Sequence, residues 1–417
     1  MKGEGKPVQS LEQLEKLAHA FTQSGEATSN VDFTNTEIAF ADKSDGELKK
    51  TALLFRLMNN PILVSIGAKL SMLAIRLRLP FFESLVRNTI FWQFCGGVTL
   101  LDSQPSIDRL YKNKVYSVLD YGVEGKDTEQ AFNATMVENI RAIDFASKHD
   151  GILFVSTKVT GLARFGLLES ISKSETLTPE ERAEYKIVLK RIDSICHNAA
   201  NKGVSVFIDA EETWIQPAID HLTNQMMKRY NKERVVVYNT HQLYRTDRLG
   251  YLMASFDQAQ KDGYLLGAKL VRGAYLDKER ERAVKMGYPS PIHTTKEATD
   301  HDYDLAIRFC IENYKKIALC TASHNVNSNT LMAELIAQKG LPRNHPHLSF
   351  CQLYGMSDNL TFNLAKQGYN VAKYVVYGQV SDVLSYLVRR TQENTSVTGD
   401  MSREYGLITT EMKRRGL

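Results

Sequence analysis

The chain has 417 residues, 43% hydrophobic and 24% charged, and its 52 basic and 48 acidic side chains leave a formal net charge of +4. That length exceeds one small module, and that balance excludes a disordered, collagenous or repeat-only chain. The charge excess is too diffuse to imply a nucleic-acid partner, and none is expected.

Two domains are expected: a helical arm over residues 1–100 and a catalytic domain over 101–417. Ser10 to Ala20 suits a short helix. The segment from Thr51 to Phe82, TALLFRLMNNPILVSIGAKLSMLAIRLRLPFF, is apolar and basic at once. Its longest uncharged run is twelve residues, Leu57 to Ala68, well short of the ~20 needed to span a bilayer. Two readings stay open there: helices packed on the main domain, or an amphipathic surface touching a membrane.

From Val115 onward, short β-branched runs recur: VYSVLDY at 115, ILFVSTK at 152, VSVFID at 204, VVVYNT at 235, LLGAKLV at 265, IALCTAS at 317, LSFCQL at 348 and VAKYVV at 371. Continuous apolar runs of this length suit parallel strands buried on both faces. Helical stretches separate them. One opens TPEER, with Thr178 as cap, Pro179 first in the helix and Glu181 closing a capping box. Another is SDVLSYLVRRTQEN at 381–394. Eight such units predict a distorted (β/α)8 barrel of the TIM type, and the absence of G-x-G-x-x-G after any strand argues against a dinucleotide-binding sheet.

Five cysteines, an odd number without CxxC spacing, read as small buried hydrophobes in a reducing compartment. His345 and His347 lie in NHPH without companion ligands, so no metal is expected. The N-terminus shows neither an apolar secretory core nor an arginine among its first twenty residues, and it reads as no signal or transit peptide.

In barrels of this type the chemistry sits where strands end. Those ends carry Lys158; Asp209 with Glu211 and Glu212; Asn239 and Gln242; Lys269 to Tyr275; Ser323, His324 and Asn325; Leu353 and Tyr354; and Tyr374. Basic groups and amides dominate, which suits an anionic ligand. Each has a plainer reading. Lys158 snorkels to a rim, His324 is a loop histidine, and Arg389 with Arg390 is the solvated end of a helix. Lys158 is flanked by β-branched residues, where an unpaired charge is costly. Spacing does not choose among these readings.

The motifs FCGG at 94, VLDYGVEG at 118, FIDAEET at 207, KLVRGAYLDKE at 269, ASHN at 322, QLYGM at 352 and YLVRRTQEN at 386, in this order, resemble the proline dehydrogenase family from about Phe94 to Asn394. The wording is closer to the single-function enzymes than to the large bifunctional bacterial ones. The resemblance implies FAD-dependent oxidation of L-proline to Δ1-pyrroline-5-carboxylate. It further implies a membrane quinone as electron acceptor, peripheral membrane association, and a separate pyrroline-5-carboxylate dehydrogenase downstream. A bacterial-type location, on the cytoplasmic side of the inner membrane, is the matching expectation.

Residue by residue, the resemblance implies that Arg389 and Arg390 grip the substrate carboxylate with Lys158 as a third cation, and that Tyr275, Leu353, Tyr374 and Tyr386 surround the ring. Asp209 balances the cations. Lys269 lies near the flavin ring system, with Asn239, Arg272, Gly273, Ala274, Ser323, His324, Arg390 and Glu393 as further FAD contacts, and with Gln242 as the less favoured alternative to Asn239. One departure is Val98, where a gate glutamate is expected. Two rival readings are another FAD barrel, such as a folate-linked reductase, and a non-enzymatic membrane-associated scaffold.

Overall fold

The computed structural model describes residues 10–24, 31–60, 63–64, 67, 82–123, 127–392 and 400–417. A short strand, β1 (Cys95–Gly97), precedes β2 (Tyr116–Tyr121), β3 (Ile152–Thr157), β4 (Ser205–Ile208), β5 (Val237–Gln242), β6 (Leu266–Val271), β7 (Ile317–Ala322), β8 (Leu348–Leu353) and β9 (Val371–Tyr377). All eight anticipated runs therefore become strands. The sheet order is β1-β9-β2-β3-β4-β5-β6-β7-β8, and a further β9–β8 pairing closes β2–β9 into a parallel eight-stranded barrel with helices between the strands. The (β/α)8 expectation holds.

β1 was not anticipated, because three residues with two glycines carry no strand pattern; it pairs with β9 through Cys95 and Val376. β5 starts two residues later than the apolar run suggests. The buried Asn231 side chain accepts hydrogen bonds from both Val236 and Val237 N–H at 2.9 Å, so a side chain occupies the donors at the strand entrance. The helix Pro179–Lys202 begins as its capping box dictates: Thr178 Oγ accepts from Glu181 N at 3.2 Å, and the Glu181 carboxylate accepts from Thr178 N at 3.0 Å.

The chain folds as two compact units, residues 1–30, 125–148 and 154–350, and residues 31–124, 149–153 and 351–417. In the first unit, Phe154 and Phe207 stack at 4.2 Å, and Tyr238 meets both edge-on. Alternation along the strands then points Ser156, Asp209, Thr240 and Lys269 to this same face, and Val237, Asn239 and His241 to the other. The helix Leu11–Ser24 joins this unit, with Glu15 3.2 Å from His301.

In the second unit, the helix Asp45–Met58 starts at a Ser44–Glu47 capping box and buries Leu48, Thr51, Ala52, Phe55 and Met58. The Phe55 ring lies 6.2 Å from that of Phe94, and Arg109 ties Asp42 and Glu47 together. For residues 51–58 the packing reading is the one observed, at about 1.5–3 kcal/mol for each fully buried large side chain. Most of 61–81 lies outside the described residues.

Candidate active site

In the first unit, the ends of β3, β4 and β6 bring three predicted residues together. Asp209 accepts from Lys269 Nζ at 2.6 Å, from Lys158 Nζ at 3.2 Å and from Ser156 Oγ at 2.9 Å. Asp209 is 8% and Lys269 4% exposed, so these are desolvated charges that persist only as a hydrogen-bonded group. Within this group one carboxylate faces two ammonium groups. Lys269 also stands 5.0 Å from the Phe207 ring, a cation over an aromatic face.

Arg272 is held as firmly. Its guanidinium donates to Asp300 Oδ1 at 2.7 Å, Ser323 Oγ at 2.7 Å and Ser328 Oγ at 3.0 Å, and lies 4.3 Å from the Tyr303 ring. The helix Val326–Gln338 starts here, with Asn325 as its cap. His324 is half-buried just before it. An arginine, a serine hydroxyl and a helix N-terminus together suit an anionic oxygen ligand. Next to Arg272, Gly273 adopts φ +141, and a Cβ there would fall 2.6 Å from the Tyr244 ring, so only glycine fits. Ala274 is exposed, and Tyr275 is half-buried where it leads into the helix Leu276–Met286.

Asn239 is not brought to this group. It lies on the helix-facing side of β5, where its amide donates to Asp220 Oδ1 at 2.9 Å within a buried Asp220–Arg248 ion pair. Gln242 occupies the Lys269 side of the same strand and donates to the Glu211 carbonyl at 2.7 Å. The β5 contact expected from Asn239 is thus available from Gln242 instead.

In the second unit, the helix Leu384–Gln392 presents Tyr386, which is buried and donates to the Phe94 carbonyl at 3.4 Å. Arg390 is 5% exposed with its guanidinium 5.1 Å from the Tyr386 ring, whereas Arg389 is half-buried. The arginine pair is therefore not a solvated helix end. Tyr374 is buried on β9, and Leu353 is half-buried at the end of β8. The loop after Leu353 is braced by Lys373 Nζ, which donates to the Leu353 carbonyl at 3.4 Å, to the Met356 carbonyl, and to Asp358 Oδ1 at 2.8 Å. Burial works against ionisation of Asp358, yet Lys373 and Lys43 hold its carboxyl below the usual range. In the same loop Gly355 has φ +78, and a Cβ would fall 2.0 Å from the Gln93 carbonyl, which explains the glycine of QLYGM. Glu393 lies outside the described residues.

The sequence model of the family described as Proline dehydrogenase matches residues 103–403. "Proline dehydrogenase 1, mitochondrial" of Dictyostelium discoideum is 30% identical over 91% of this chain and 74% of its own length. The chain belongs to the proline dehydrogenase family. It is thereby an oxidoreductase of that family, which excludes the scaffold reading. The human protein of the same name is 38% identical over 61% of this chain and 42% of its own length. Among solved structures, proline utilization A (PutA) from Bdellovibrio bacteriovorus, inactivated by N-propargylglycine, aligns with a TM-score of 0.66 at 21% identity over 92% of this chain. This shows the shared fold. The chain spans only 41% of that PutA chain.

The expected bacterial-type location is corrected by these relatives, since those from Dictyostelium discoideum, Homo sapiens and Arabidopsis thaliana are named mitochondrial. A polar, arginine-free N-terminal stretch carries no information for a bacterial compartment.

Val98 is half-buried in the bend before Thr99, the N-cap of the helix Leu100–Lys112. A carboxylate there reaches water and sits near a helix N-terminus, which favours negative charge. Val98→Glu should therefore lower stability by no more than about 1 kcal/mol and change the KM for proline by about tenfold at most. Steady-state kinetics and a melting curve on one preparation check both; a collapse in melting temperature would place Val98 in the core.

Proposed function

We propose that the chain oxidises L-proline to Δ1-pyrroline-5-carboxylate with FAD as its redox group. The observation that carries this reading is the Lys158–Asp209–Lys269 group at the strand ends, two ammonium groups on one buried carboxylate, in a chain whose buried arginine belongs to the YLVRR motif. The residues present fit FAD: Arg272, fixed by Asp300 beside Ser323 and the start of the helix Val326–Gln338, offers the donor set that a diphosphate requires. Arg272, Gly273, Ala274, Ser323 and His324 are the residues we assign to that part of the cofactor, and Lys269 with Gln242 to its ring system. When bound, FAD supplies the two-electron acceptor for the ring carbon next to the substrate nitrogen.

The protein's share is orientation. Arg389 and Arg390 donate paired N–H groups to the planar carboxylate, and Lys158 adds a third cation. Asp209 holds the Lys158 and Lys269 ammonium groups in place by accepting from both. Tyr275, Leu353, Tyr374 and Tyr386 present apolar surface to a small ring and exclude water. The amine must be neutral for the carbon–nitrogen double bond to form, so the rate should rise with pH.

We assign a membrane quinone as the electron acceptor, reached by peripheral association, and a separate pyrroline-5-carboxylate dehydrogenase as consumer of the product. Leu53 and Leu57, one turn apart and 58% and 49% exposed, support a surface contact. No helix among the described residues is long and apolar enough to cross a membrane.

A second substrate is favoured by one finding. "Hydroxyproline dehydrogenase" of Xenopus laevis is 29% identical over 95% of this chain and 93% of its own length. Comparing kcat/KM for L-proline and trans-4-hydroxy-L-proline in a dye-reduction assay decides between them. A preference for proline supports the reading, and a preference for the hydroxylated ring replaces it.

A further inference from the structure

We propose that Glu211 is a positioning residue for substrate binding: its buried carboxylate fixes the turn that carries Lys158, and the ionisation of that carboxylate sets how well the substrate's carboxylate is held. This inference rests on the reading of Lys158 as a partner of that carboxylate.

Glu211 lies just past β4, two residues after Asp209, and is 3% exposed. Both of its oxygens are used by one residue. Thr160 donates its backbone N–H to Oε1 at 3.0 Å and its hydroxyl to Oε2. Thr160 is the middle residue of the single 3-10 turn Val159–Gly161, whose N-cap is Lys158, and the Lys158 side chain makes no cap bond to that turn. One orphan donor at the start of the turn, the Thr160 N–H, is met instead by Glu211, from beyond the end of the neighbouring strand. The ammonium at the head of the turn reaches Asp209 at 3.2 Å. A shift of the turn therefore moves Lys158 relative to Asp209.

Glu211 is itself anchored on two sides. Its N–H donates to Gln216 Oε1 at 2.8 Å, and its carbonyl accepts from Gln242 at 2.7 Å. The carboxylate thus has a fixed origin, tied to the end of β5 and to the helix Gln216–Tyr230, and Thr160 must come to it.

Burial raises the Glu211 carboxyl to about 7, against the lowering effect of the two Thr160 hydrogen bonds; Glu212 raises it further and Lys158 lowers it. The other charged groups nearby are already committed. Lys278 pairs with Glu212, Lys269 with Asp209, and Asp220 accepts from Gln216 and Arg248. Glu279 accepts from Thr213. When ionised, Glu211 offers an acceptor to each of the two Thr160 donors. When protonated it presents one hydroxyl, and one of the two contacts is lost or reversed. The turn is held above neutrality and loosened below it.

The test uses the FAD-loaded wild type, Glu211→Gln and Thr160→Val, with kcat and KM for L-proline measured separately from pH 6 to pH 8.5 and flavin content checked on each. The glutamine copies the neutral acid. The ratio of wild-type to Glu211→Gln kcat/KM should be near one at pH 6 and about tenfold at pH 8, carried by KM, with kcat within about twofold. Thr160→Val, which keeps its N–H donor, should show the same trend at about threefold. A ratio that does not change with pH, or variants that match wild type throughout, would overturn the inference while leaving proline oxidation intact. If Glu211→Gln fails to fold, Thr160→Val decides by the same criterion. A wild type that carries FAD but shows no turnover of L-proline overturns the functional reading and this inference with it.

Discussion

Replacing Asp209 with alanine should destabilise the fold by about 3–5 kcal/mol, because it strands the buried Lys269 ammonium and the half-buried Lys158 ammonium without their shared carboxylate. In a chain of this size that is a fall in melting temperature of roughly 3–6 °C. The two lysines differ in what they lose. Lys269, 4% exposed, has little water to turn to, while the Lys158 side chain is 13% exposed and relaxes towards solvent. Asp209→Asn keeps the shape and an acceptor oxygen, so its cost should be intermediate. Activity should fall at least about a hundredfold in the alanine variant even at temperatures where it is folded, since positioning errors at reacting groups are costly. Calorimetry with parallel kinetics checks this. An alanine variant that melts with wild type would mean that the Lys269 ammonium is solvated, contrary to its burial.

Arg389→Met should lower kcat/KM for proline by about 30-fold to several thousand-fold, the scale of removing a desolvated partner from a carboxylate. Flavin content should stay near normal. Arg390→Met should differ. Arg390 is 5% exposed and stacked on Tyr386, so its removal disturbs packing as well as recognition, and flavin should be lost with activity. Flavin absorbance ratios and steady-state kinetics separate the two. An Arg389→Met enzyme within about twofold of wild type would remove the arginine pair from substrate recognition.

Much of this architecture is legible in the residues because the strands are buried on both faces. Each appears as a short, mainly apolar run, and VAKYVV and LSFCQL mark β9 and β8 to within a residue at either end. Lys158 stands out for a related reason, as a charge among residues that have no use for one, and it indeed has an acidic partner. What escapes is whatever depends on distant partners. Asp300, which holds Arg272, is 28 residues away on the helix Lys296–Glu312, and Ser156 looks like any small strand residue until Asp209 is beside it.

Asn239 shows a different failure. Motif matching placed it near the cofactor, whereas simple alternation from Tyr238, which packs on Phe207, turns Asn239 towards the helices and Gln242 towards Lys269. The brace on the Leu353 loop was also invisible, since Lys373 sits within an apolar strand and reaches back across the turn to main-chain carbonyls.

In the proposed reaction this chain moves electrons from L-proline to a bound flavin. The most direct measurement is anaerobic titration of the FAD-loaded protein with L-proline, followed at the flavin band at about 450 nm. The band should bleach on addition of proline and return on admitting a quinone, with D-proline or a proline amide, whose carboxylate is gone, far less effective. A flavin that stays oxidised under excess L-proline would contradict that reaction.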